Sequence, residues 1–236
     1  MPYYYHIDIY YIVLVIPALI FALAAQVLVK SRLSSYSKIF NSRGLTGQQA
    51  AMRMLHDFGI SDVSIEHTGG SFTDHYDPTS KVIRLSDSVF AGASIASVCV
   101  ACHEAGHAVQ YATDYSPVGL KRALMPVAKL GSKLAMPMII IGFLLPVKYD
   151  FLVNTGILLY AVCVFMTVVT LPIEFNASRR ALSYISRTGL LESSEYTGAK
   201  KVLTAAALTY VASMFSALMN LLRLILIANG RRGGRR

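Results

Sequence analysis

The sequence predicts a mainly α, membrane-embedded fold: transmembrane helices carry a small α+β portion with a short β-hairpin and an H-E-x-x-H helix. Three observations predict it. Several long apolar segments punctuate the chain. Of its 236 residues 54% are hydrophobic and only 15% charged, against about 25% charge in an ordinary soluble domain. Between the apolar segments lies a polar stretch that contains Cys102-His103-Glu104-Ala105-Gly106-His107.

The first element is Ile9 to Val29, uncharged and long enough to span a bilayer, which needs about 20 residues. Pro17 is a kink point. No small-residue cleavage site follows, so a retained span is expected rather than a removed signal peptide. Trp is absent, and Tyr3, Tyr4, Tyr5, Tyr10 and Tyr11 gather where an interfacial aromatic belt would sit. Lys30, Arg32 and Lys38 follow the segment and no Lys or Arg precedes it. The positive-inside rule therefore assigns the chain after residue 30 to the cytoplasm.

Thr46 to Phe58 has helical apolar spacing at Ala50, Met54, Leu55 and Phe58, with Thr46 as N-cap and Gly59 as stop signal. Val63 to Glu66 and Lys81 to Leu85 read as short strands. The turn-forming run Gly69 to Pro78 between them predicts a hairpin-like pair with a long loop. A helix over Ala93 to Thr113 comes next. Leu134 to Val147 is apolar but short for a span, and the amphipathic stretch Pro117 to Lys133 can extend it, with Lys129 and Lys133 snorkelling. Phe151 to Ile173 is uncharged and of spanning length, so Lys148-Tyr149-Asp150 reads as the turn of a helical hairpin. Val202 to Leu222 is again uncharged, but Tyr210, Ser213, Asn220 and Arg223 weaken it as a lipid-facing span. The basic tail Arg231 to Arg236 sharpens the conflict. Four spans place it opposite the polar stretch, against the positive-inside rule, whereas three would keep it inside.

The net charge of +9 does not indicate a nucleic-acid partner. Lys and Arg flank apolar runs instead of forming a basic face interleaved with aromatics, which suits an anionic membrane surface. Cys99 and Cys102 form a lone C-x-x-C inside the motif helix, without the βαβ context of a redox site. With Cys163 they read as free thiols in a reducing compartment.

His103 and His107 stand four apart, on one face of the expected helix. Their imidazoles can converge on one Zn2+ ion, with Glu104 placed to take a proton from water there. A catalytic zinc normally has three protein ligands. Downstream acids are Asp114, Asp150, Glu174, Glu192 and Glu195. Asp150 falls at the hairpin tip, on the opposite membrane face, and Asp114 ends the motif helix. Glu174 falls at the membrane boundary on the motif's side and opens an expected helix start. Elimination favours Glu174 over Glu192 and Glu195, with His75 a rival ligand or a substrate-contacting group. The bland reading of Glu174 is an ion pair with Arg179 or Arg180. Asp77-Pro78 reads as turn chemistry, and His6, His56 and His67 as surface or packing residues.

Asp74-His75-Tyr76-Asp77-Pro78, Ile83-Arg84-Leu85-Ser86, Cys102 to Gln110 and Pro172 to Leu182 together resemble the YugP-type family of neutral zinc metallopeptidases. The resemblance implies an integral membrane peptidase with a zincin-like α+β catalytic portion, Zn2+ on His103, His107 and Glu174, and Glu104 as general base. The chain also looks like a distant, reduced relative of the HtpX-type membrane proteases. Those carry an Asp four residues after the Glu ligand, where this chain has Ser178. Asn176 or Ser178 is left to orient a ligand. His103 to Ala108 is similar, too, to the peptidase motif of membrane AAA proteases, but no G-x-x-x-x-G-K-[ST] loop accompanies it.

The organisation expected is an N-terminal transmembrane helix over 1–29 and a cytoplasmic catalytic segment over 30–122. A transmembrane hairpin over 123–173, a third-ligand segment over 174–201, and an apolar helix with basic tail over 202–236 complete it. The function expected is zinc-dependent endopeptidase action on membrane or membrane-proximal proteins, in a multi-pass cell-membrane protein with its site on the cytoplasmic side. The partners implied are a protein or peptide substrate and the lipid bilayer; oligomeric state does not follow from the sequence. The competing reading is a non-catalytic membrane scaffold or chaperone with a structural or degenerate metal site.

Overall fold

The computed structural model describes residues 8–233; Tyr3, Tyr4, Tyr5, His6, Arg235 and Arg236 lie outside them. Four helices are long and apolar enough to cross a membrane: Tyr11–Ser37, Ser116–Leu144, Val147–Thr188 and Ser193–Arg231. The chain divides into two compact units, one of Ala25–Gly119 with Leu171–Thr209, the other of Met1–Ala24, Leu120–Thr170 and Tyr210–Arg236.

The first unit begins with the end of α1 (Ile16–Ser37) and then α2 (Gly47–Asp57). Thr46 caps α2 with a full capping box: its hydroxyl accepts from the Gln49 N–H, and the Gln49 side chain accepts from the Thr46 N–H. Gly59 ends the helix at φ +70, a conformation that favours glycine. Strands β1 (Ser64–Thr68), β2 (His75–Asp77) and β3 (Val82–Ser86) follow, then the short α3 (Asp87–Phe90) and α4 (Ile95–Ala112). Ser94 caps α4 by accepting from the Ser97 N–H. The core gathers Met54, Ile83, Leu85, Val98, Cys102 and Ile185, all fully or nearly fully buried.

The strand pairing differs from the expected one. β1 and β3 are parallel, from Ser64 opposite Val82 to Thr68 opposite Ser86. The hairpin is β2 with β3, His75 opposite Arg84, so β3 is the central strand. Turn chemistry is the physical reason. Asp77 accepts from the Thr79 N–H and the Ser80 hydroxyl, closing a tight turn directly after β2. Asp74 accepts from the Ser86 N–H and hydroxyl, tying the start of β2 to the end of β3. The run expected to be pure loop thus contains a strand.

The second unit holds the start of α1, helix α5 (Ser116–Leu144) from Leu120 on, the first part of α6 (Asp150–Thr188) and the last part of α7 (Ser193–Gly233). The amphipathic stretch before Leu134 does extend the apolar one, into a single helix. Small residues let α5 and α6 approach closely: a Cβ on Gly131 would meet the Leu159 carbonyl at 2.9 Å, and one on Gly156 the Ala135 carbonyl at 2.8 Å. The polar residues of α7 find partners inside this unit. Arg223 donates to Asp8 at 2.7 Å, the Asn220 amide to the Tyr160 hydroxyl, and the Ser216 hydroxyl to the Ala18 carbonyl. For Asn220 and Arg223 these pairings weaken the objection to α7 as a span, because intramembrane polar groups persist where they are paired. Elsewhere apolar side chains stay outside: Ile20 is 61% and Val27 68% exposed. Such surface suits lipid rather than water.

Candidate metal centre

Two helices of the first unit build the site. His103 and His107 project from α4 with their rings 4.7 Å apart and nearly perpendicular. Glu174 comes from α6. It does not begin a helix, as the sequence suggested, but lies within one that runs through Pro172. Two carbonyls at this point accept side-chain hydrogen bonds, Pro172 from the Tyr115 hydroxyl and Ile173 from the Gln110 amide. The helices can meet because residue 106 is glycine: a Cβ there would stand 2.8 Å from the Ala177 carbonyl.

Ligand atoms of His103, His107 and Glu174 all lie within 4.8 Å of one another. Oε2 of Glu174 is 3.4 Å from Nε2 of His103 and 3.5 Å from Nε2 of His107. That oxygen is buried and has no hydrogen-bond partner among the described residues. A buried carboxylate oxygen without a donor is costly. A metal ion held by this donor set would resolve it. Zinc bonds of about 2.0–2.1 Å at tetrahedral angles would place neighbouring N and O ligands roughly 3.3–3.4 Å apart. The residues present fit that ion.

Each imidazole is oriented through its far nitrogen. The Gln110 Nε2 donates to the Ile173 carbonyl at 2.7 Å and to Oδ1 of Asn176 at 3.0 Å. The amide orientation is thereby fixed, and its Oε1 faces Nδ1 of His107 at 3.0 Å. Nδ1 must then carry the proton, leaving the Nε2 lone pair for a metal. The Ser178 hydroxyl stands 3.2 Å from Nδ1 of His103. Asn176 also accepts from Arg180 at 2.8 Å; it touches neither imidazole but holds Gln110. Burial alone would lower the basicity of His107, but the Glu174 and Glu104 carboxylates outweigh it and the His107 pKa is raised. Two carboxylates thus act on this imidazole.

Glu104 is 9% exposed and its Oε2 accepts the Tyr76 N–H at 3.0 Å. The edge strand β2 is thus attached to the motif helix. His75 stands apart from the three-residue cluster: its Nδ1 meets the Thr73 carbonyl at 2.7 Å and its side chain is exposed. Glu195 accepts from the Ser42 and Glu192 N–H groups. Arg180 contacts Asn176 and Thr113. Cys99 and Cys102 are buried free thiols, and burial pushes Cys102 up to about 12.

Sequence reasoning missed Gln110 and Tyr76. Gln110 had a signal, since it lies three residues after His107 on the same helical face. The role of Tyr76 is a backbone one and has no signal in residue type.

A family described as "Putative neutral zinc metallopeptidase" matches residues 11–229 of this chain. The chain is also similar to the protein named "Putative membrane protease YugP" of Bacillus subtilis (strain 168), 43% identical over 222 residues, which cover 94% of this chain and 98% of that protein. No solved structure matches it. With a two-histidine, one-glutamate cluster and, among the described residues, four helices of spanning length, this chain belongs to that zinc metallopeptidase family.

Proposed function

We propose that the protein is a membrane-embedded zinc endopeptidase with His103, His107 and Glu174 as the metal ligands and Glu104 as general base. The observation that carries the proposal is the donorless Glu174 oxygen between two imidazole Nε2 atoms, beside a second, separate carboxylate, that of Glu104. A structural zinc site closes with four protein ligands; three ligands with a nearby carboxylate is the catalytic arrangement. The bound ion would supply a Lewis acid that polarises the scissile carbonyl and acidifies water. Glu104, held at Oε2 by the Tyr76 N–H, keeps Oε1 to accept the proton of the attacking water and return it to the leaving amine. Ser178 and Gln110 keep the imidazoles oriented.

An extended substrate needs a free strand edge, and the central strand β3 has none. Strand β2 takes that role, because it is a sheet edge and its Tyr76 N–H reaches Glu104. An extended segment added alongside it would pass the base. The exposure of His75 on this strand supports a substrate-contacting role for it. The cations Lys30, Arg32 and Lys38 after the first span support a cytoplasmic site. Substrates are then membrane or membrane-proximal proteins.

The test is Glu104→Gln. Purified variant and wild type should bind equal zinc, while only the wild type hydrolyses an unfolded membrane-protein substrate. Hydrolysis by the variant would end the assignment of Glu104, and wild type that binds zinc without hydrolysing anything would favour the scaffold reading.

A further inference from the structure

The N-terminal part of α7 packs on the C-terminal part of α1 through Gly198, where a Cβ would stand 2.5 Å from the Tyr36 ring. The helices run antiparallel from this point, so residues before Tyr36 face residues after Gly198. They leave a groove of about 330 Å³ lined by Leu28, Arg32, Thr197, Lys200, Lys201, Thr204, Ala205 and Leu208. Its lining holds three cations and no acid. Among the described residues none of the three makes an ion pair.

The order of side chains along the groove identifies its ligand. Nearest the Gly198 crossing are Thr197, Lys200, Lys201 and Arg32; beyond them come Leu28, Ala205 and Leu208. The same level is where both helices lose their charge. The uncharged run of α1 ends at Val29 and that of α7 starts at Val202. Cations over an apolar floor, at the boundary of two candidate spans, match a phospholipid in both chemistry and direction. A phosphodiester would meet Arg32, Lys200 and Lys201, with an acyl chain along Leu28 and Leu208. A free anion would use the cations but not the floor.

We propose that the α1–α7 groove binds one anionic phospholipid by its phosphodiester headgroup. The site shares no lining residue with the metal cluster, and the proposal does not depend on protease activity.

The test uses the full chain in detergent and native mass spectrometry with phosphatidylglycerol, phosphatidylcholine or inorganic phosphate added. The expected result is one retained phosphatidylglycerol per chain, at least tenfold tighter than phosphatidylcholine. R32Q/K200Q/K201Q should lose this preference, while K30Q/K38Q/K148Q, matched in charge removed but outside the groove, should keep it. Equal loss in both triple variants would reduce the effect to bulk charge and overturn the site. Equal retention of the two lipids would overturn it as well. Inorganic phosphate competing at concentrations comparable to phosphatidylglycerol would replace the lipid by a free anion. The melting temperature, measured on the same samples, should stay near the wild-type value in all variants and shows that each is folded.

Discussion

Gln110 holds His107: its Oε1 stands 3.0 Å from Nδ1 of the imidazole, while its amide nitrogen is committed to Ile173 and Asn176 on α6. One side chain thus joins the two helices that supply the proposed ligands and sets the tautomer of one of them. Truncating Gln110 to Ala should lower zinc affinity by about 10- to 100-fold, the usual effect of removing an orienting partner. Competition with a chromophoric chelator would measure it, and an unchanged affinity would remove Gln110 from the site.

Glu174→Ala should abolish stoichiometric zinc binding, since two imidazoles alone leave the site one protein ligand short of the usual three. Metal analysis of detergent-purified wild type and variant gives the answer directly. About one zinc per chain is expected in the wild type and far less in the variant. Zinc retained at full stoichiometry in the variant would move the third ligand elsewhere.

Gly106→Ala should separate packing from chemistry. The new Cβ would press on the Ala177 carbonyl at 2.8 Å, and backbone cannot swing aside as a side-chain tip can. Over-packing of this kind costs about 1–3 kcal/mol. Thermal unfolding in detergent should show the loss, and zinc affinity should fall with it because α4 and α6 carry opposite sides of the cluster. A variant as stable and as metal-competent as wild type would show that the helices are free to move apart.

Arg223→Leu should destabilise the protein more than Asp8→Asn combined with Arg223→Leu. The single change leaves Asp8, a partly buried carboxylate, without the guanidinium that lies 2.7 Å from it. A buried polar group that loses its partner costs about 1–3 kcal/mol, more when it is charged, and Asp8→Asn removes the stranded charge. Melting temperatures of wild type and the two variants, in one detergent, test this coupling.

Much of the architecture was legible because it rests on local patterns. The capping box at Thr46 and Gln49, the stop at Gly59 and the uncharged run Ile9 to Val29 each follow from a few adjacent residues. Strand pairing was not legible in this way. The turn-rich run Gly69 to Pro78 contained β2, and the two strands read as a hairpin proved parallel. Short strands pair according to where their connection carries them, and residue type in the strands does not encode that. The character of α7 was hard to read for a related reason. Arg223 and Asn220 argue against a lipid-facing helix until Asp8 and Tyr160 are seen beside them.

By itself the sequence determined that His103 and His107 share one helical face with Glu104 between them, because helical periodicity fixes residues four apart. It also determined that long uncharged segments surround them, because bilayer thickness fixes the length of such runs. Only the tertiary structure decided that Glu174, far along the chain, brings its oxygen to 3.4 and 3.5 Å from the two imidazoles. Only it placed Ser178, Gln110 and the Tyr76 N–H around them. The physical reason is that those contacts depend on the close approach of α4 to α6 at Gly106 and of β2 to α4. Approaches between distant segments are set by packing, which no local window of sequence contains.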